Sequence, residues 1–208
     1  VTDRRWWDDG EPIWVTAENA GIRTGTMFWP GSEAAIRGVR PSLWTVFNQS
    51  MPGDARVDQL LAWLDLPEDQ RPRFLTLYFD IVDTAGHNHG PDAPETRAAV
   101  ASVDASIDRL LAGLRTRGLY DETVLVVVSD HGMAATGPEH VLYLDDLVDV
   151  EALRIIYSGA VAFLNPVEGR EAEVEAALAG RHDGAECWRK ADIPARLVLG
   201  RHRRVPAV

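Results

Sequence analysis

The chain has 208 residues, 46% of them hydrophobic and 25% charged, enough for one packed domain or a large part of a bigger one. Its net charge of −11 argues against binding duplex nucleic acid through a general positive field. The apolar run 124–128 is strand-sized, far below the roughly 18 residues of a membrane span, and a lone cysteine, Cys187, excludes an internal disulfide framework.

The chain opens on Val1 without a secretory leader, a start that suggests processing or excision. Residues 1–11 read as a loop, followed by a short helical stretch ending near Gly21. Thr24-Gly25-Thr26-Met27-Phe28-Trp29 reads as a strand stopped by Pro30-Gly31. A polar, irregular connection follows, and the spacing of Val57, Leu60, Leu61 and Leu64 then predicts a helix over 56–64. Residues 73–80 predict a strand buried on both faces, and the segment from Asp83 to His87 a loop. The clearest helix is expected over 94–117, on a stripe of Val100, Val103, Ile107, Leu110, Leu111 and Leu114. Asp92 and Glu95 suit a capped start, Pro94 the first turn and Gly118 the stop. Residues 124–129 predict a second strong strand, which would pair parallel with the first across that helix. A strand at 160–164, a helix near 170–179 and a charged, irregular tail complete the pattern of a single α/β domain.

Asp83 and His87, and then Asp130 and His131, stand just past the two strong strand segments. A parallel crossover puts both strand ends on one edge of the sheet, where ligands of open α/β folds bind. Carboxylate oxygen and imidazole nitrogen are donors that zinc accepts well, and manganese or iron as well. Either pair alone also fits a turn with a surface histidine. Together they predict a dinuclear metal site for phosphoryl chemistry, with fewer ligands than two metals usually take.

The run from Tyr78 through Asp83-Thr84-Ala85-Gly86-His87 to Pro91, followed by Ser129-Asp130-His131-Gly132-Met133, resembles the nucleotide pyrophosphatase/phosphodiesterase family of the alkaline phosphatase superfamily. Gly10-Glu11-Pro12-Ile13-Trp14, Phe28-Trp29-Pro30-Gly31-Ser32, Trp63-Leu64-Asp65-Leu66-Pro67 and Ile193-Pro194-Ala195-Arg196-Leu197 carry the same resemblance over nearly the whole chain. It implies an alkaline-phosphatase-like α/β sheet with helices on both faces, incomplete here. It implies two Zn2+ per complete site, with Asp83 and His87 on one and Asp130 and His131 on the other. Tyr78 and Phe47 correspond to an aromatic clamp for a nucleobase or other planar group, and Trp29 to a pocket-lining tryptophan. Phe47 replaces a tyrosine common in the family, so one hydrogen-bonding tip is lost.

The resemblance further implies a threonine nucleophile, one more aspartate and one more histidine, none of which matches a position in this chain. These 208 residues are therefore expected to be the central portion of a larger catalytic domain, inactive alone, with no catalytic nucleophile of their own. The whole protein is expected to hydrolyse nucleotide phosphodiester or pyrophosphate bonds through a phospho-threonine, in the periplasm or after secretion. Its expected partners are small phosphodiesters, not nucleic-acid duplexes or a membrane core. A superfamily hydrolase of phospholipid head groups, phosphomonoesters or sulfate esters, and a non-catalytic fragment that keeps the fold, are the competing readings. Thr84 and Ser129 read as hydrogen-bonding turn residues, and His89, His140, His182 and His202 as solvated surface side chains.

Overall fold

The computed structural model describes residues 2–199 and 202–208, in two compact units, Val1–Ala135 and Thr136–Val208. In the first unit, α1 (Ile13–Asn19) leads to β1 (Thr24–Met27), the short β2 (Leu43–Trp44) and α2 (Gly53–Leu64). β3 (Phe74–Leu77), α3 (Ile81–His89) and α4 (Pro94–Thr116) follow. The sheet is parallel, in the order β2-β1-β3, with Thr24 opposite Phe74 and Met27 opposite Leu77. The α/β class with a parallel sheet is thus the one expected.

Helices cover both faces because side chains alternate along β3. Phe74 packs toward Trp14 and Val15 of α1, whereas Leu75 and Leu77 pack toward Val57, Leu61 and Leu64 of α2 and Leu110 and Leu114 of α4. Close approach is bought with glycine at two points. A Cβ on Gly25 would stand 3.0 Å from both Leu75 and Trp63, and one on Gly113 of α4 would stand 2.5 Å from Leu61. Asp58–Arg109 and Asp65–Arg117 add forked ion pairs between α2 and α4 at 2.6–2.9 Å. These pairs are exposed, so solvent screens them and they add little to stability. Glu18 joins α1 to the sheet: it accepts from the N–H and hydroxyl of Thr24 and from the N–H and hydroxyl of Ser42.

Several expectations need correction. α4 has the predicted extent, and Gly118 ends it with φ +67°, but its buried face is centred on Thr96, Ala99, Ser106, Leu110 and Leu114, and Val100 is exposed. Small residues at that centre let α2 and α3 approach. Its N-cap is Ala93 without a side-chain bond, not Asp92; Thr96 instead donates to the Gly90 carbonyl at 2.7 Å. Asp83 and His87 lie on helix α3, not in a loop. The flanks of β3 are only half-buried.

The largest departure is 124–128. It forms no strand and no backbone–backbone hydrogen bond among the described residues, and its side chains are open to solvent, Val124 at 89%. The local pattern is strand-like, but a strand exists only when a neighbour completes its ladder. Among the described residues β3 is paired to β1 alone.

The second unit packs β4 (Leu153–Tyr157), antiparallel to β5 (Phe163–Pro166), under α5 (Glu171–Leu178). Its core is Val148, Ala152, Leu153, Leu164, Val174 and Leu178. The tail is less irregular than expected: β6 (Gly180–His182) and β7 (Ala185–Cys187) form a hairpin, signalled in the sequence by Asp183-Gly184.

Candidate active site

The C-terminal continuations of the three parallel strands carry aromatic residues. Phe28 and Trp29 follow β1, Phe47 follows β2, and Tyr78 follows β3 directly. The Phe28 and Phe47 rings meet edge-on with centroids 5.2 Å apart, and Phe47 meets Tyr78 at 6.1 Å. Phe28 is buried, while Phe47 is 43% exposed. Glu33 fixes the Phe47 backbone by accepting its N–H at 2.7 Å. Trp29 packs beside Trp14, Val15, Ala34 and Ile36.

On α3, Asp83 and His87 are one helical turn apart, so their side chains share a face. His87 Nε2 is 3.4 Å from Asp83 Oδ1. His131 Nε2 lies 3.7 Å from that same oxygen and 3.7 Å from Asp130 Oδ2. The structure therefore brings all four predicted ligands into one chain of contacts centred on Asp83. Asp83 Oδ1 is buried and has no hydrogen-bond partner. A carboxylate oxygen so placed, between two imidazoles, is suited to a cation. Among the described residues no group of three or more such side chains converges to hold a metal ion; the contacts run in pairs.

The neighbourhood of His131 sets its chemistry. Nδ1 is 2.8 Å from the Gly132 carbonyl, which can only accept, so Nδ1 carries a proton and the neutral ring keeps its lone pair on Nε2. That tautomer is the one that ligates metals through Nε2. The Gly132 bond first, then the charges of Asp130 and Asp83, raise the imidazole pKa above its usual value despite partial desolvation. Asp130 Oδ1 accepts the His131 N–H at 3.1 Å, and the Ser129 hydroxyl donates to the His131 carbonyl, the local role expected of Ser129. Gly86 is what allows this segment to approach α3. A Cβ there would stand 2.1 Å from the Met133 sulfur.

The aromatic wall and the Asp/His group share one electrostatic environment. Burial raises the Tyr78 phenol pKa, and the charges of Asp80, Asp130 and Asp83 raise it further, with Arg56 opposing. Sequence reasoning missed Phe28, Glu33, Arg56 and Asp80; Phe28 and Asp80 had a signal, in the segments they share with Trp29 and with Tyr78. His140 is exposed, as expected, and accepts the Gly137 N–H through Nδ1. His182 is not: half-buried, it donates from Nε2 to the Leu178 carbonyl at 2.7 Å, tied to the end of α5.

The type I phosphodiesterase / nucleotide pyrophosphatase family matches residues 1–208. The chain belongs to this family. Human ectonucleotide pyrophosphatase/phosphodiesterase family member 1 is 41% identical over 161 residues, 77% of this chain and 17% of the relative. An uncharacterised pyrophosphatase/phosphodiesterase of Schizosaccharomyces pombe is 39% identical over 151 residues, 73% of this chain and 31% of the relative. Murine ectonucleotide pyrophosphatase/phosphodiesterase 5, solved as an inactive variant in complex with AMP, superposes with a TM-score of 0.90 at 31% identity. That match covers 100% of this chain and 55% of the murine one, so this phosphodiesterase-family chain spans about half of the solved relative and less of the curated ones. No helix among the described residues is long and apolar enough to cross a membrane.

Proposed function

We propose that this chain is the central portion of the single catalytic domain of a two-zinc phosphodiesterase/nucleotide pyrophosphatase. The whole protein hydrolyses nucleotide phosphodiester or pyrophosphate bonds outside the cytoplasm, periplasmic or secreted; the ectonucleotide enzymes among its relatives support that location. The observation that carries the reading is the buried Asp83 Oδ1, without a hydrogen-bond partner and set 3.4 Å from His87 and 3.7 Å from His131 beside an aromatic wall.

The donor set fits zinc, with carboxylate oxygens and an imidazole whose Nε2 lone pair is left free. Asp83 and His87 would hold one ion, and Asp130 and His131 the other. Bound there, the ions would supply Lewis-acid stabilisation of charge on the phosphoryl oxygens. The chain's own residues do the rest of the holding. Gly132 fixes the His131 ring through Nδ1, and Asp130 turns its second oxygen to the His131 N–H. Phe47 and Tyr78 give a planar base or leaving group its stacking surface, with the Tyr78 phenol kept protonated by burial and nearby carboxylates. A threonine from polypeptide beyond these residues is the nucleophile, so the 208-residue chain alone leaves phosphodiesters intact.

The test uses the complete protein with nitrophenyl thymidine monophosphate and nitrophenyl phosphorylcholine. The nucleotide ester should turn over faster, activity should vanish on chelation and return with Zn2+, and Asp83→Asn should lower both zinc content and rate. Chelator-resistant turnover, or a preference for the choline ester, overturns the reading.

A further inference from the structure

Arg56, on the first turn of α2, is the buried side chain with the most partners near the site. It is 4% exposed. Its Nε donates to the Met51 carbonyl at 2.9 Å and its Nη2 to the Gln49 carbonyl at 3.3 Å. Its Nη1 donates to the Tyr78 carbonyl at 2.9 Å and to Asp80 Oδ1 at 2.7 Å. The guanidinium carbon also lies 5.3 Å from the centroid of the Phe28 ring and 6.0 Å from that of Phe47. One cation thus touches the loop that follows Phe47, the backbone of Tyr78 and two rings of the wall.

We infer that Arg56 is a positioning residue that sets the Phe47–Tyr78 wall for a planar nucleobase and, through Asp80, ties that wall to the start of the ligand helix α3. The segment between Phe47 and Met51 has no helix or strand of its own, and Arg56 supplies donors to its Gln49 and Met51 carbonyls. A guanidinium supplies several fixed donors in one plane and stacks on aromatic faces; a lysine ammonium does neither. Asp80 precedes Ile81, the first residue of α3, yet its side chain makes no cap there. It is turned to Arg56 instead, which neutralises the buried cation. The Tyr78 N–H donates to the Met27 carbonyl at 2.8 Å, so with Arg56 on its carbonyl this residue is held from both sides.

This inference rests on the aromatic-wall part of the proposed function, and its test separates the two. AMP and ribose 5-phosphate share a sugar phosphate and differ in the base. Both are measured as inhibitors of the complete protein. Arg56→Lys should weaken AMP about tenfold and leave ribose 5-phosphate within about twofold. In a Phe47→Leu background the same change should alter AMP inhibition by less than about twofold, because the surface that Arg56 positions is already gone. Asp80→Asn, which keeps an oxygen toward Arg56, should give the same pattern more weakly and serves if the lysine variant does not fold. Equal weakening of both inhibitors, or additivity with Phe47→Leu, overturns the positioning role alone. An AMP affinity unmoved by Phe47→Leu itself removes the wall, and this inference with it.

Discussion

Gly86→Ala is the sharpest test of how the two Asp/His segments are held together. In isolation the change favours the helix, since alanine is better than glycine in a helix interior by about 1 kcal/mol. The new Cβ, however, would stand 2.1 Å from the Met133 sulfur and 2.8 Å from its terminal methyl. To reach ordinary contact the sulfur must retreat by roughly 1.3 Å, an overpacking that costs about 1–3 kcal/mol in a rigid setting and less for a flexible methionine. The two contributions nearly cancel, so the melting temperature should change little. The geometry should not survive as well, because Met133 lies two residues past His131 and carries that segment with it. A misplacement near 1 Å costs on the order of 100-fold in rate. The assay is kcat/KM on nitrophenyl thymidine monophosphate, with zinc content and thermal melting measured on the same preparation of the complete protein. Adding Met133→Ala should recover most of the loss. Full activity in Gly86→Ala at an unchanged melting temperature would show that the glycine contact does not set the site.

Two further outcomes follow from the packing and the charges. Leu61→Ala should destabilise the first unit by about 2–5 kcal/mol in a denaturant melt, because the side chain fills the space between α2 and Gly113 of α4. For Glu18, burial raises the carboxyl pKa, but four hydrogen bonds from Thr24 and Ser42 outweigh it and leave the folded value below normal. A depressed value means stability that is complete above the unfolded glutamate value of about 4.3 and is lost as pH falls through the folded one. Melting temperature should therefore drop below that pH in the parent chain and drop less in Glu18→Gln; parallel curves would refute the linkage.

The fold was legible in sequence wherever an element makes its own contacts. The length of α4 was plain from its repeated apolar spacing, and its end from Gly118. Its buried face was displaced from the predicted stripe, because the close approach of α2 and α3 selects Ala99 and Ser106 over the bulkier Val100. The ligand pairs were legible as residues but not as geometry. Gly86 argued for a loop, whereas in the structure it is a helical residue whose missing side chain makes room for Met133. Arg56 left no trace, since an arginine in the first turn of an amphipathic helix reads as a solvated charge. Its role comes from four carbonyl and carboxylate oxygens on two loops, a purely tertiary fact.

The unpaired valine-rich segment at 124–128 has a consequence for handling the protein. Five apolar residues of high β-propensity, without proline or charge, make the kind of sequence that stacks into cross-β aggregates when its backbone is left open. A truncation that keeps Asp130 and His131 but lacks a neighbour for this run would be lost to inclusion bodies before its chemistry was ever assayed. Soluble yield, more than residual activity, then becomes the first sign that the segment has found its place in a sheet.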